Sequence, residues 1–249
     1  MQISVITVCR NSEKTLENTI LSILSQTNKN FEYIIVDGNS HDNTKKIIEK
    51  YRKYIKFYIS EKDNGIYDAI NKGIKNSTGE IVSVLNSDDA YYDRNVLSKV
   101  YDNFKKFNDL EKLIGDTVIQ NQHTKKILRI YDAKSFKPKY MKFGYSPPHP
   151  STFIKREVYN KYGYYNINYN IASDFDLYVR LILKHKIKYK LIKEKFVIMN
   201  SGGKSSRSIK SNIVSTKEIM LSLKNNEIYS NLIFVLLRFP LKIFQYFFK

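Results

Sequence analysis

The chain has no tryptophan, and its 249 residues include a single cysteine, Cys9. One cysteine excludes an internal disulfide and fits a reducing compartment. No uncharged apolar run reaches the roughly 18 residues of a membrane span. No basic n-region, apolar core and cleavage site open the chain, so no secretory signal is expected. Both the Walker phosphate loop and the GxGxxG fingerprint are missing, which argues against a glycine-rich phosphate cradle. Zinc-finger spacing, an RNA-binding signature and a bZIP-like heptad are also missing.

What is present is a basic chain with enough residues for one large α/β domain. Apolar residues make up 42% of it, as in a folded globular protein. The net charge of +18 is uneven: residues 1–100 hold 14 Lys/Arg and 13 Asp/Glu, and residues 101–249 hold 28 and 11. Such a basic half can attract nucleic acid, anionic lipid or a phosphorylated substrate, or form a solvated lysine surface.

The first hundred residues alternate strand and helix. Strands are predicted at Ile3–Val8, Tyr33–Val36, Phe57–Ser60 and Ile81–Leu85. Helices are predicted at 12–26, 43–54 and 66–75, the first with Leu16, Ile20, Ile23 and Leu24 on its buried face. This alternation predicts βαβ units and a mainly parallel central sheet. Beyond Asp93 the pattern loosens. A helix is expected at 95–107, a hairpin from 113–118 and 126–131, and helices at 173–184 and 208–225. Tyr145 to Pro150 holds three of the five prolines and reads as an ordered loop. The run 202–206 (GGKSS) reads as a donor-rich turn.

Acidic residues recur where strands end: Asp37, Asp63 and the pair Asp88-Asp89. In an open α/β sheet the carboxyl edge is where ligands bind. Adjacent carboxylates repel unless a cation offsets them, and hard divalent ions prefer oxygen ligands. The pair therefore reads as a metal site for a phosphate-bearing ligand, with a helix N-cap as the alternative.

These residues resemble glycosyltransferase family 2. The opening ISVITVCRN (3–11), IIVDGNSHDNT (34–44), DNGIYDAINKG (63–73) and NSDD (86–89) match its blocks in order, the last resembling its DxD motif. HPSTF (149–153) and ASDFDL (172–177) extend the likeness thinly. The resemblance implies the Rossmann-like GT-A fold of nucleotide-diphospho-sugar transferases and an inverting displacement aided by Mn²⁺ or Mg²⁺. It implies a nucleotide-diphosphate sugar donor, a UDP-sugar, contacted by Thr7, Asn11, Asp37, Asp63, Asp68, Asn86 and Ser87. Thr7 and Asp37 would meet the base, and Asp63 or Asp68 the base or ribose. Metal ligands would be Asp88 and Asp89, and the general base Asp174, whose other reading is an N-cap. His149 and Gly203 would lie on the acceptor side. Asp176 reads as structural. Asn86 stands at the first DxD position, leaving a catalytically impaired scaffold as an alternative. The absence of the Gln-x-x-Arg-Trp motif argues for single-sugar addition.

From Leu232 the tail is mostly Leu, Ile and Phe. Arg238, Lys242, Gln245 and Lys249 would form one polar stripe on a helix, as in an interfacial membrane segment. Packing on the sheet is the alternative. The expected organisation is a GT-A domain at 1–225, with a donor half at 1–93 and an acceptor half at 94–225, then an amphipathic membrane-associating helix at 226–249. The expected enzyme adds one hexose or N-acetylhexosamine to a lipid-linked or other glycan acceptor in surface polysaccharide assembly. It would act in the cytoplasm, peripheral on the inner face of the plasma membrane and attached to anionic lipid. Nucleic acid is not an expected partner, since the acidic strand ends would repel phosphate without a metal.

Overall fold

The first four strands place every predicted acidic strand end on one edge. A computed structural model describes residues 1–122, 124–201 and 209–239. Strand β1 (Ile3–Cys9) is buried at every position because it lies between β2 (Phe31–Asp37) and β4 (Ile81–Val84), parallel to both. Strand β3 (Phe57–Ser60) extends the parallel set beside β2.

Side-chain alternation along β1 divides the core. Ile3 and Val5 pack with Leu16, Ile20 and Ile23 of α1 (Leu16–Leu24) and with Ile48 of α2 (Thr44–Lys50). Ile6 and Val8 face the other layer, with Ile70 and Ile74 of α3 (Ile66–Lys75). Both helices of the first layer are shorter than expected, and a single 3-10 turn at Arg52–Tyr54 replaces the last part of α2.

Beyond β4 the sheet becomes mixed. Short β5 (Asp89–Tyr91) is followed by α4 (Val96–Lys106), β6 (Lys112–Gln120), β7 (Ile127–Tyr131), β8 (Thr152–Lys155) and α5 (Arg156–Tyr162). After α6 (Ser173–Tyr178) a π-helical turn, Val179–Lys184, leads to β9 (Tyr189–Asn200). Among the described residues nine strands form one sheet in the order β3-β2-β1-β4-β8-β6-β9-β5, with β7 beside β6. β8 is antiparallel to β4 and β6, β5 is antiparallel to β9, and β6 and β9 are parallel. The parallel expectation thus holds for β1 to β4. β8, which the chain enters from the proline loop and not through a crossover helix, then pairs antiparallel with both of its neighbours.

The chain ends, as described, in α7 (Ile209–Asn225) and α8 (Leu232–Leu236). Val235 of α8 is buried, and the Phe234 ring lies 5.1 Å from that of Phe143. Arg238 departs from the expected outward stripe. It is 3% exposed and donates to Thr216 Oγ1 at 2.8 Å. Its neighbours Leu232, Ile233, Leu236 and Leu237 are the exposed ones. Lys242, Gln245 and Lys249 lie outside the described residues. No described helix is long and apolar enough to cross a membrane.

Candidate active site

The exits of β1, β2 and β4 are laced together by short polar contacts. Asn11 has a positive φ of 51°, its N–H donates to Ser40 Oγ at 2.8 Å, and its Oδ1 accepts from His41 N at 2.9 Å. Ser12 N donates to Thr44 Oγ1 at 2.7 Å, and its hydroxyl meets that of Ser87 at 2.9 Å. Asn11 and Ser87 therefore shape the crevice, as a turn brace and an inter-strand tie.

Two expected base contacts lie deep in the strand exits. Thr7 and Asp37 are both fully buried. Asp37 accepts from Ser40 N at 3.0 Å, from Ser60 Oγ at 2.6 Å and from Ser40 Oγ, while Cys9 Sγ approaches at 3.7 Å. Asp37 closes the β2 exit, and Thr7 sits within the core layer. The Cys9 thiol, buried and beside Asp37, has its pKa pushed far up, so it stays protonated.

Asp63 stays at the crevice. A Cβ on Gly38 would come 2.3 Å from Asp63 Oδ2 and 3.3 Å from Arg10 Cδ, so glycine permits this close approach. The other oxygen, Oδ1, accepts from Gly65 N at 3.0 Å. Gly65 has φ 109°, which turns the chain into α3. Asp68 is engaged elsewhere: it accepts from Asn64 N at 3.0 Å and pairs with Lys72 at 3.2 Å. The Asn64 N–H, with Lys72, holds its carboxyl below the usual range against the opposing effect of burial. Between the two acidic candidates, Asp63 faces the ligand edge and Asp68 holds the loop.

At the β4 exit the two carboxylates part. Asp88 is exposed, and its carbonyl accepts from Asn200 Nδ2 at 2.9 Å. Asp89 is 2% exposed and takes Asn86 Nδ2 at 3.1 Å. Burial, then the neighbouring Asp88 charge, pushes the Asp89 carboxyl well above the usual range. Asp89 thus sits as a buried brace beneath the exposed Asp88. Among the described residues no three acidic, histidine or cysteine side chains gather as a cation cage. The buried Asn86 Oδ1 and Asp89 Oδ1 lack partners. One exposed carboxylate suits the Mg²⁺ habit of taking one or two carboxylates plus substrate phosphates.

Asp174 lies in the first turn of α6, two residues after the N-cap residue Ala172. It is partly exposed, and its Oδ1 has a long 3.5 Å contact from Tyr67 Oη. Asp176, two residues on, is buried and paired with Arg180 at 3.0 Å, as expected of a structural residue. Tyr67 stands in the first turn of α3, just after the Asp63 loop, so Asp174 and Asp63 share one wall. His149 Nε2 meets Tyr165 Oη at 2.8 Å, and Tyr165 stacks on Tyr67 at 5.7 Å. Burial lowers the pKa of the His149 ring, against the pull of Asp174. Gly203 lies outside the described residues. Tyr67, Ser12 and Asn200 belong to the site yet were not singled out. Tyr67 sits inside the DNGIYDAINKG block, which was the available signal. Two surface cavities, one lined by Glu111, Glu157, Val158, Asn160 and Lys161 and one by residues around Leu110 and Lys188, lie at the entry end of β6, away from this edge.

Residues 4–171 match the family described as Glycosyl transferase family 2. The chain belongs to that family. A PGL/p-HBAD biosynthesis glycosyltransferase of Mycobacterium tuberculosis is 26% identical over 180 residues, 71% of this chain and 68% of the relative. The poly(ribitol-phosphate) beta-N-acetylglucosaminyltransferase TarP of Staphylococcus aureus is 37% identical over 119 residues, 46% of this chain and 36% of the relative. Among solved structures, S. aureus TarS 1–349 in complex with UDP-GlcNAc superposes with a TM-score of 0.69 at 18% identity, covering 92% of this chain and 68% of that one. The mannosyltransferase PcManGT of Pyrobaculum calidifontis, in complex with GDP-Man and Mn²⁺, gives 0.67 at 16%, covering 90% and 63%. The fold is GT-A, and the protein is a glycosyltransferase.

Proposed function

We propose that this glycosyltransferase moves one sugar from a UDP-sugar to a lipid-linked or other glycan acceptor, with inversion and with Mn²⁺ or Mg²⁺. The observation that carries the reading is Asp174, a partly exposed carboxylate in the first turn of α6, within 3.5 Å of the Tyr67 hydroxyl beyond the Asp63 loop. A sugar hydroxyl is a poor nucleophile, and a positioned carboxylate takes its proton as the new bond forms. Asp63 and the Asn11 turn would flank the nucleotide. Asp88 would hold the divalent ion together with diphosphate oxygens, and the ion, when bound, stabilises charge on the departing diphosphate. Asn86 keeps its amide on Asp89 and leaves Asp88 exposed, which favours an active enzyme over a scaffold. The donor class is supported by the UDP-GlcNAc complex of TarS and by TarP, a beta-N-acetylglucosaminyltransferase.

The membrane part of the reading rests on Tyr229, Leu232, Ile233, Leu236 and Leu237, exposed together beside the basic half of the chain. Surface-anchored apolar residues with nearby lysines fit the inner leaflet, where each basic residue adds about 1 kcal/mol. Nucleic acid has no place in this reading.

The test is UDP release from UDP-GlcNAc, UDP-glucose and UDP-galactose with Mn²⁺ or with EDTA. Release from at least one donor, lost in EDTA, is expected. No release from any donor overturns the donor class, and equal release in EDTA overturns the metal.

A further inference from the structure

The turn that presents Asp174 is held from α7. Glu218, 8% exposed on that helix, accepts three consecutive backbone N–H groups. Its Oε1 takes Asn170 N at 2.8 Å, and its Oε2 takes Ile171 N at 2.9 Å and Ala172 N at 2.8 Å. Successive N–H groups converging on one anion form a nest, and bonds to a charged acceptor are the strong kind. From the opposite side Tyr67 Oη donates to Ile171 O at 2.6 Å. The Ile171 residue is thus fixed at both its N–H and its C=O. One turn along α7, Ser222 Oγ donates to Asp176 Oδ1 at 2.9 Å. Two contacts from one helix therefore bracket Asp174, one before it and one after it.

We infer that Glu218 is the positioning residue for the general base: its carboxylate fixes the turn at 170–172 and, through it, the angle at which Asp174 meets the acceptor hydroxyl. The inference rests on the reading of Asp174 as base. Glu218 touches neither donor nor acceptor in this account. It acts only through the backbone that carries Asp174. An error of about 1 Å in the placement of a reacting group can lower a rate by about 10²-fold.

Glu218→Gln keeps the shape, removes the charge and turns an NH₂ group toward the N–H nest. With UDP-GlcNAc and Mn²⁺, and UDP release as readout, kcat should fall about 10- to 10²-fold. KM for UDP-GlcNAc should stay within about twofold, because the donor edge is built from β1 to β4. In an Asp174→Asn background the same change should have an effect below about twofold, since the group it positions is gone. Hydrogen exchange at the amides of 170–172 should quicken while β1 and β4 stay protected. Wild-type kcat in Glu218→Gln, or an equal loss in both backgrounds, overturns the inference. If Asp174→Asn itself turns over like wild type, the base reading fails, and this inference fails with it. Loss in Asp174→Asn together with normal Glu218→Gln rejects Glu218 alone. Should Glu218→Gln not fold, Glu218→Asp replaces it: the charge is kept one methylene short, and an intermediate kcat with unchanged KM is expected. Unchanged kcat in that variant, with exchange at 170–172 quickened, overturns the inference.

Discussion

Two buried ionisable side chains, one in each half of the sheet, are surrounded in opposite ways. In the donor half Glu32 of β2 lies 6% exposed and is fully engaged. It accepts from Ser4 Oγ at 2.6 Å, Thr78 Oγ1 at 2.6 Å and the N–H groups of Thr78 and Gly79. In the acceptor half Lys112 of β6 is fully buried, and its Nζ has no hydrogen-bond partner. That amine sits 3.0 Å from the centroid of the Tyr178 ring. Local polar groups thus satisfy Glu32 where the strands enter the sheet, although Asn86 Oδ1 and Asp89 Oδ1 at the β4 exit lack partners. Lys112 instead places its polar atom in an aromatic pocket on the α6 side of the sheet. Polar satisfaction stabilises the first position, and the second gives up stability.

The largest expected effect concerns the catalytic wall. Asp174→Asn keeps size but removes the proton acceptor. Transfer should fall by about 10²-fold or more, with nucleotide-sugar affinity unchanged. Calorimetric titration of the donor beside a turnover assay checks both. Turnover near wild type would place the base elsewhere and dissolve the functional contrast between the halves.

Asp88→Ala should instead act on the donor half alone. Its carboxylate is exposed, so no core opens, and the melting temperature should hold. Donor affinity in Mn²⁺ should fall about tenfold or more, toward the value in EDTA. Unchanged affinity in Mn²⁺ would remove Asp88 from the metal.

The same contrast explains what was legible in the sequence. The donor half is built from short-range βαβ units, so period and strand-end acids gave β1 to β4, α3 and the shared ligand edge. Asp88, Asp63 and Asp174 could be singled out because each falls within a recognisable block. Thr7 and Asp37 show the limit of the pattern, because a strand residue reads the same whether it faces a ligand or, like Asp37, accepts from Ser40 and Ser60. The acceptor half hid more. β5 has three residues, β8 has four, and β9 is broken by Lys193, Glu194 and Lys195, so none shows a clean period. Glu218 looks like any acid on a helix until the fold brings 170–172 to it. Arg238 looks like a surface cation until Thr216 and Asn212 take it in.

Glu32→Ala sharpens the stability side of the comparison. It leaves the N–H groups of Thr78 and Gly79 without their acceptor where α3 returns to β4. A loss of about 2–3 kcal/mol at pH 7 is expected in chemical denaturation. Burial alone would raise the pKa of this carboxyl, but bonds from Ser4, Thr78 and Gly79 hold it below the usual range. A depressed carboxylate contributes stability above its unfolded pKa of about 4.3 and loses it as pH falls through the folded value. The wild-type advantage over Glu32→Ala should therefore shrink below about pH 4. An advantage that persists in acid would show that shape, not charge, matters at this position.

Lys112→Met gives the mirror image and the smallest effect. Burial holds the Lys112 amine well below its usual range, with the Asp174 charge opposing. The unfolded chain binds a proton at this lysine up to about pH 10, and the folded chain binds it less tightly, so the lysine's contribution to stability rises with pH. Methionine fills the same volume without a polar atom. It should raise stability at pH 7 by about 1 kcal/mol, the lower end of what an unpartnered buried polar group costs. The gain should diminish between pH 7 and pH 10, as the wild type recovers and the variant does not change. Melting curves of both proteins across that range measure the difference directly. Destabilisation by Lys112→Met, with no narrowing of the gap at high pH, would mean that the amine stays charged inside the fold. The acceptor half would then hold its buried cation as firmly as the donor half holds Glu32.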